Sequence, residues 1–166
     1  MTSPADVRIV ISTHVPGIGH NLRMALRGAG ARNLQLVTTA AQLMETFGVT
    51  KPNVLMIYVD SAAEDDPGMQ MLKFARRSAT SPDRAIPVVV VSQGRDMATI
   101  QAVGNAGAHE YALFPASGEQ LMKKVHAAHT SNRPFVDTPD YVGPERKPPP
   151  VAPKPAVPVG KDAATP

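Results

Sequence analysis

Three short apolar runs constrain this chain more than any other feature. NVLMIYV (53–59) and IPVVVVS (86–92) are continuous and rich in β-branched residues, and VRIVIS (7–12) is a third run of the same kind. Unbroken apolar runs of this length are what central parallel strands need, because both of their faces are buried. Such strands require cover on both sides of the sheet and a crossover between neighbours.

The segments between the runs supply that cover. After the first strand, HNLRMALRGAG places Leu22, Met24, Ala25, Leu26 and Ala29 on an apolar stripe, with Gly30 as a stop. NLQLVT (33–38) is a second strand. Thr39 to Gly48 is a helix, in which Thr39 and Gln42 have capping-box spacing. SAAEDDP is a loop, followed by the helix GMQMLKFARRSA (68–79) with Met69, Leu72, Phe74 and Ala75 largely on one side. Asp96 caps a helix running to Gly107, and HEYALF (109–114) is a fifth strand. Ser117 and Gln120 form a second capping box, opening a helix to His129. Strands alternate with helices throughout residues 6–130. The expected class is α/β: a flavodoxin-like, doubly wound parallel sheet of order 2-1-3-4-5, with its crevice at the carboxyl ends of the first and third strands.

Composition changes near residue 131. Ten of the seventeen prolines lie beyond Arg133, and KPPPVAPKPAVPVG has almost no helix or strand potential. The expected organisation is a leader (1–5), one domain (6–130) and an extended, largely disordered proline-rich tail (131–166). Whether 131–147 packs on the domain is left open, with Phe135 and Tyr141 as its anchors. There is no cysteine, which excludes disulfides and thiolate chemistry. No apolar run approaches the roughly 18 residues of a membrane span, and the N-terminus lacks a secretory pattern, so a cytoplasmic protein is expected. The net charge is +3, but the cations are scattered, so nucleic-acid binding through a basic patch is not expected. The chain has no G-x-S-x-G and no H-E-x-x-H. Gly-Ile-Gly at 17–19 reads as a loop, without the third glycine of a dinucleotide fingerprint. His126 and His129 lack a third ligand, so no metal is expected. No enzymatic activity is expected.

The strand ends carry the remaining signal. They are Ser12-Thr13-His14, Tyr58-Val59-Asp60, Ser92-Gln93 and Phe114-Pro115. Ser92 after VVVV, the aromatic and proline of AGAHEYALFP, and the Pro16–Leu22–Leu26–Gly30 spacing resemble the receiver (CheY-like) domain of bacterial two-component response regulators. SNRPFVDTPDYVGPERK (131–147) is similar to the tail of a subset of stand-alone receivers, with its RPF…Y-x-GP-(D/E)-R pattern.

The resemblance implies phosphoryl transfer from a histidine kinase to an aspartate after the third strand. It also implies Mg²⁺ on an acidic pair after the first strand, and a lysine before the proline after the fifth. A dianion built on a carboxylate needs those cations. Here the acidic pair falls on Thr13 and His14, and the lysine position is Phe114. The acceptor falls on Asp60 counting back from Gly68, or on Tyr58 counting forward from Pro52; Asp60 is the favoured register. Ser92 and Tyr111 keep the hydroxyl and aromatic positions of the receiver switch.

The expectation is therefore a degenerate receiver acting through protein–protein contact on the face of its fourth helix, fifth strand and fifth helix. Met97, Ile100, Val103, Leu121 and Val125 are candidates for that face, and the proline-rich tail offers a second contact. It would use no cofactor, and Mg²⁺ only if Asp60 is a working phosphoacceptor, which is the alternative reading. An anion site at Ser12, Thr13 and Ser92 is a third reading. Glu64, Asp65 and Asp66 are read with Asp60 as a solvated acidic loop.

Overall fold

A computed structural model describes residues 3–146. The chain enters through a 3-10 turn at Pro4–Asp6, where Ser3 accepts from the Ala5 amide. It then alternates: β1 (Arg8–Ser12), α1 (Pro16–Gly28), β2 (Asn33–Val37), α2 (Ala40–Val49), β3 (Val54–Tyr58), α3 (Pro67–Arg77), β4 (Val88–Ser92), α4 (Met97–Asn105), β5 (Glu110–Leu113) and α5 (Gly118–His129). The five strands form one parallel sheet in the order β2-β1-β3-β4-β5, the topology expected from the alternation.

Burial follows position in the sheet. Every residue of β3 and β4 is buried, because both strands have neighbours on each side and helices on each face. The edge strands β2 and β5 are only partly covered. Side chains alternate between two cores. One packs Ile9, Ile11, Met56, Tyr58 and Val91 against Leu22 and Leu26 of α1 and Leu121 and Val125 of α5. The other packs Val10, Leu55, Ile57 and Val90 against Leu43 of α2, Leu72 of α3 and Val103 of α4.

The caps read from the sequence form as hydrogen bonds. Thr39 accepts from the Gln42 amide and Ser117 from the Gln120 amide, and each glutamine side chain reaches back to the capping residue. Gly17–Gly19 differs from expectation: it is the first turn of α1, not a loop, with Pro16 at the helix start. Gly19 is buried, and a Cβ there would sit 3.0 Å from Thr13 Cγ2. Small residues let this turn lie against the sheet.

The larger departure is at the C-terminus. Residues 131–146 are not an extended tail. Phe135–Asp137 (β6) and Val142–Pro144 (β7) pair as an antiparallel hairpin. In its turn, Thr138 Oγ1 accepts from the Tyr141 amide at 3.0 Å. The hairpin packs against the body. Val142 is buried, and Gly143 lies so close to Gly107 that a Cβ there would come within 2.6 Å of its Cα. The proline-rich segment from Lys147 onward lies outside the described residues.

Beneath the hairpin lies Arg76, at the end of α3, with no exposed surface. Its Nε donates to the Gly107 carbonyl (2.8 Å), and Nη1 donates to the carbonyls of Arg84 (2.8 Å) and Ile86 (2.7 Å). Nη2 donates to His109 Nδ1 (3.1 Å), which also accepts from the Val88 amide (3.1 Å). The guanidinium carbon stands 5.4 Å from the Phe135 ring centroid, a cation–π contact. Burial lowers the Arg76 pKa to about 10. Burial, and then the charges of Arg76 and Arg133, push His109 down to about 3. His109 is therefore a neutral acceptor. Two further links hold the hairpin: Arg84 pairs with Asp137 at 2.9 Å, and Arg133 Nη2 donates to the His109 carbonyl at 2.9 Å.

Candidate functional site at the strand ends

The carboxyl ends of β1, β3, β4 and β5 converge, as parallel pairing requires. Tyr58 closes β3 and is buried. Its ring meets that of Phe114 edge to face, with centroids 6.2 Å apart at 78°. Such pairs contribute about 0.5–1.5 kcal/mol beyond area burial. Phe114 is held in place by its own amide, which donates to the Ser92 carbonyl at 2.9 Å, and its ring packs with the α1/α5-side core. The ring before Pro115 is therefore part of a hydrophobic floor.

Asp60 lies two residues past Tyr58 and is exposed. The Tyr58 hydroxyl donates to its Oδ1 at 3.1 Å, so the favoured acceptor position and its alternative touch one another. Burial, and then that hydrogen bond, push the Tyr58 phenol up to about 12. The phenol stays protonated and donating.

Asp66 has a different role from the solvated one expected of it. It is buried; Oδ1 accepts from the amides of Asp60 (3.1 Å) and Ser61 (3.2 Å), and Oδ2 from Met69 (3.1 Å). It is the N-cap of α3 and the clasp of the loop before it. Gly68 serves the same closure, since a Cβ there would collide with the Tyr58 carbonyl. Glu64 and Asp65 are exposed.

Thr13 Oγ1 accepts from the Val15 amide at 3.0 Å, and His14 is exposed. A hydroxyl in a local turn and an imidazole do not match the carboxylate oxygens that Mg²⁺ prefers. Asp66 is committed to three amides. These residues do not fit a magnesium site, and no group of three metal-ligating side chains occurs among the described residues. Ser12 and Ser92 are buried, which withdraws them from the anion site considered for Ser12, Thr13 and Ser92.

Ser92 and Tyr111 meet through a third residue. Ser92 Oγ accepts from the Gly94 amide at 3.0 Å, and the Tyr111 hydroxyl donates to the Gly94 carbonyl at 2.6 Å. One residue of the β4–α4 loop, Gly94, thus contacts both side chains through its own amide and carbonyl. Next to it, Asp96 caps α4, accepting from the Thr99 amide at 2.9 Å; the Thr99 bonds hold its carboxyl below the usual range.

On the α4–β5–α5 face, three of the five residues expected there point inward. Val103, Leu121 and Val125 are core residues, because each lies on the sheet-facing stripe of its helix. Met97 is 64% exposed and Leu113, not foreseen, 38%; Ile100 is partly exposed. Leu113 is exposed because β5 is an edge strand. Arg76 was also missed: an arginine in the last turn of a helix reads as a solvated end.

No protein-family model matches the chain, and no curated protein matches it. Solved structures do. A CheY-like receiver domain protein from Methanospirillum hungatei matches 74% of this chain and 93% of its own, at 19% identity and a TM-score of 0.57. A response regulator from Thermotoga maritima matches 75% and 99%, at 21% identity and TM-score 0.58. The receiver domain of a modulated diguanylate cyclase from Desulfovibrio desulfuricans matches 73% and 91%, at 16% identity and TM-score 0.55. No helix among the described residues is long and apolar enough to cross a membrane. Sheet order, helix placement and these neighbours agree: the chain has the CheY-like receiver fold.

Proposed function

We propose that this chain is a receiver-fold signalling module of a two-component pathway that works by docking a protein partner, with the phosphotransfer chemistry of its pocket lost. One observation carries the reading: Phe114 stands where an ammonium would be needed, and its ring is packed on Tyr58. In this reading Tyr58, the last residue of β3, takes the acceptor's place in the sheet, and Asp60 is a loop carboxylate bound by the Tyr58 hydroxyl. A phosphoryl dianion on Asp60 would face a hydroxyl, an imidazole and two aromatic rings. With no ammonium and no metal-binding acidic pair beside it, that charge would have no compensation but solvent. Signalling runs instead through the Ser92–Gly94–Tyr111 linkage, which joins the pocket to α4 and β5, where Met97 and Leu113 are exposed. A partner that binds one arrangement of this loop better than another shifts its population.

The test is direct. Incubation with acetyl phosphate or phosphoramidate and Mg²⁺ leaves the intact mass unchanged. A gain of one phosphoryl group that Asp60→Asn abolishes would establish the phosphoacceptor reading in its place.

A further inference from the structure

Between α1 and α5 lies an apolar groove of about 900 Å³. The two helices touch at one end of it, where a Cβ on Gly118 would collide with the Ala25 carbonyl. Away from that contact the gap opens: no atom lies within 4 Å of where a Gly28 Cβ would stand. Met24 is 55% exposed and Met122 half-buried; with Pro4 they form the walls. Methionines suit an irregular apolar partner, because the unbranched thioether adapts to its shape. Glu119 is the one carboxylate in the lining, and neither ion pair among the described residues uses it.

The described chain leaves the fold beside one wall of this groove. The Glu145 amide donates to the Pro134 carbonyl at 2.7 Å, and Arg133 Nη1 to the Glu145 carbonyl at 3.3 Å. Arg146 therefore stands close to the segment that follows the end of α5 at His129. A helix is about 10–12 Å across. Residues 147–150, KPPP, span about 12 Å as polyproline II at about 3.1 Å per residue, enough to pass α5. Residues 151–159, VAPKPAVPV, then fall over the groove. Residues three apart share a face of polyproline II. Pro150, Pro153 and Ala156 make one apolar face, Ala152, Pro155 and Pro158 the next, and the third carries Lys154. The cleft between α4, β5 and the hairpin is nearer to the exit, but Lys124, Arg133 and Arg146 line it. A segment with Lys147, Lys154 and Lys161 and a single acid, Asp162, is repelled there.

We infer that residues 151–159 of this chain occupy the α1–α5 groove, with their proline and alanine faces against Met24 and Met122 and Lys154 paired with Glu119. The contact is intramolecular. A short tether holds the segment at an effective concentration on the order of millimolar, so a contact too weak to form between molecules is populated within one. The prolines reduce the ordering cost, because the extended form is already favoured. The assignment does not depend on the docking reading above, and it gives the proline-rich segment a role on its own domain.

The chain has no cysteine, so Lys161→Cys provides a single site for a nitroxide just past the segment. In the full-length ¹⁵N-labelled protein, the amides of Met24, Gly28, Met122 and Lys123 should lose most of their intensity relative to the sample with reduced label. Those of Gly104 and Asn105, next to Arg146, should lose much less. Met24→Glu, at an exposed position, and Pro155→Asp, within the segment and outside the folded core, should each restore the groove signals. A ¹⁵N-labelled chain without the cysteine, mixed with an unenriched chain carrying the nitroxide, should show no loss. Broadening centred on Gly104 and Asn105 with the groove amides intact would overturn the assignment. So would an equal loss in the mixed sample, which would make the occupant a second copy, or groove signals that neither substitution restores.

Discussion

Replacing Arg76 with methionine should detach the hairpin and cost the protein about 3 kcal/mol of stability. Holding the guanidinium charged at full burial lowers its pKa from 12.5 to about 10, a cost on the order of 3 kcal/mol. Against that stand the bonds to Gly107, Arg84, Ile86 and His109. At about 1.5 kcal/mol each, the lower end for charged donors, they offset the burial cost twice over. Methionine recovers the desolvation and fills much of the volume, but leaves the Gly107 and Ile86 carbonyls buried without donors. The net loss is therefore roughly 3 kcal/mol, a large share of the 5–15 kcal/mol typical of a folded domain but short of unfolding it. Arg76→Lys should not rescue, because an ammonium cannot reach carbonyls on three sides as the planar fork does. Urea denaturation followed by circular dichroism gives the free energy, and amide hydrogen exchange gives its location. Amides of β6 and β7 should lose protection, while those of β3 keep theirs. A loss below about 1 kcal/mol, or a hairpin with unchanged protection, would refute the view that Arg76 holds these elements together.

Three further outcomes follow, two of them from the same region. His109 is pushed down to about 3 from 6.5, so between those values the unfolded chain binds a proton that the folded chain does not. Its contribution is fully present above pH 6.5 and is lost as pH falls toward 3, by up to about 1.4 kcal/mol per pH unit. Urea midpoints of wild type and His109→Gln between pH 7 and 5 should converge as pH falls, and a constant gap would contradict the assignment. Gly107→Ala should cost about 2 kcal/mol or more, since its φ is +102° and a Cβ would strike the Val142 carbonyl and lie 3.0 Å from Arg76 Nε. Gly28→Ala, in open space on α1, should be neutral or stabilise by up to about 1 kcal/mol. Thermal denaturation of the pair separates the two cases.

The sheet and its helices were legible because their signals are local. VVVVS can be covered on both faces only in a central strand, and Thr39–Gln42 and Ser117–Gln120 cap helices through bonds that span three residues. The aromatic at position 114 was also visible as a missing cation. The side-chain pairing that gives it meaning was not: its contact with Tyr58 depends on the register of β3 relative to β5, two strands away. Asp66 read as one more acid in a run of three, yet burial against α3 made it the loop's clasp.

The C-terminal segment marks the boundary between the two kinds of information. By itself the sequence determined that residues 131–146 could not continue a helix, because prolines interrupt them. Only the tertiary structure decided that they form a hairpin, because their partners are Arg76, Gly107 and His109, brought together by the α/β layering. A two-stranded ribbon has too little apolar surface to persist alone; buried Val142, the Arg84–Asp137 pair and the Phe135 ring over the Arg76 guanidinium join it to the body.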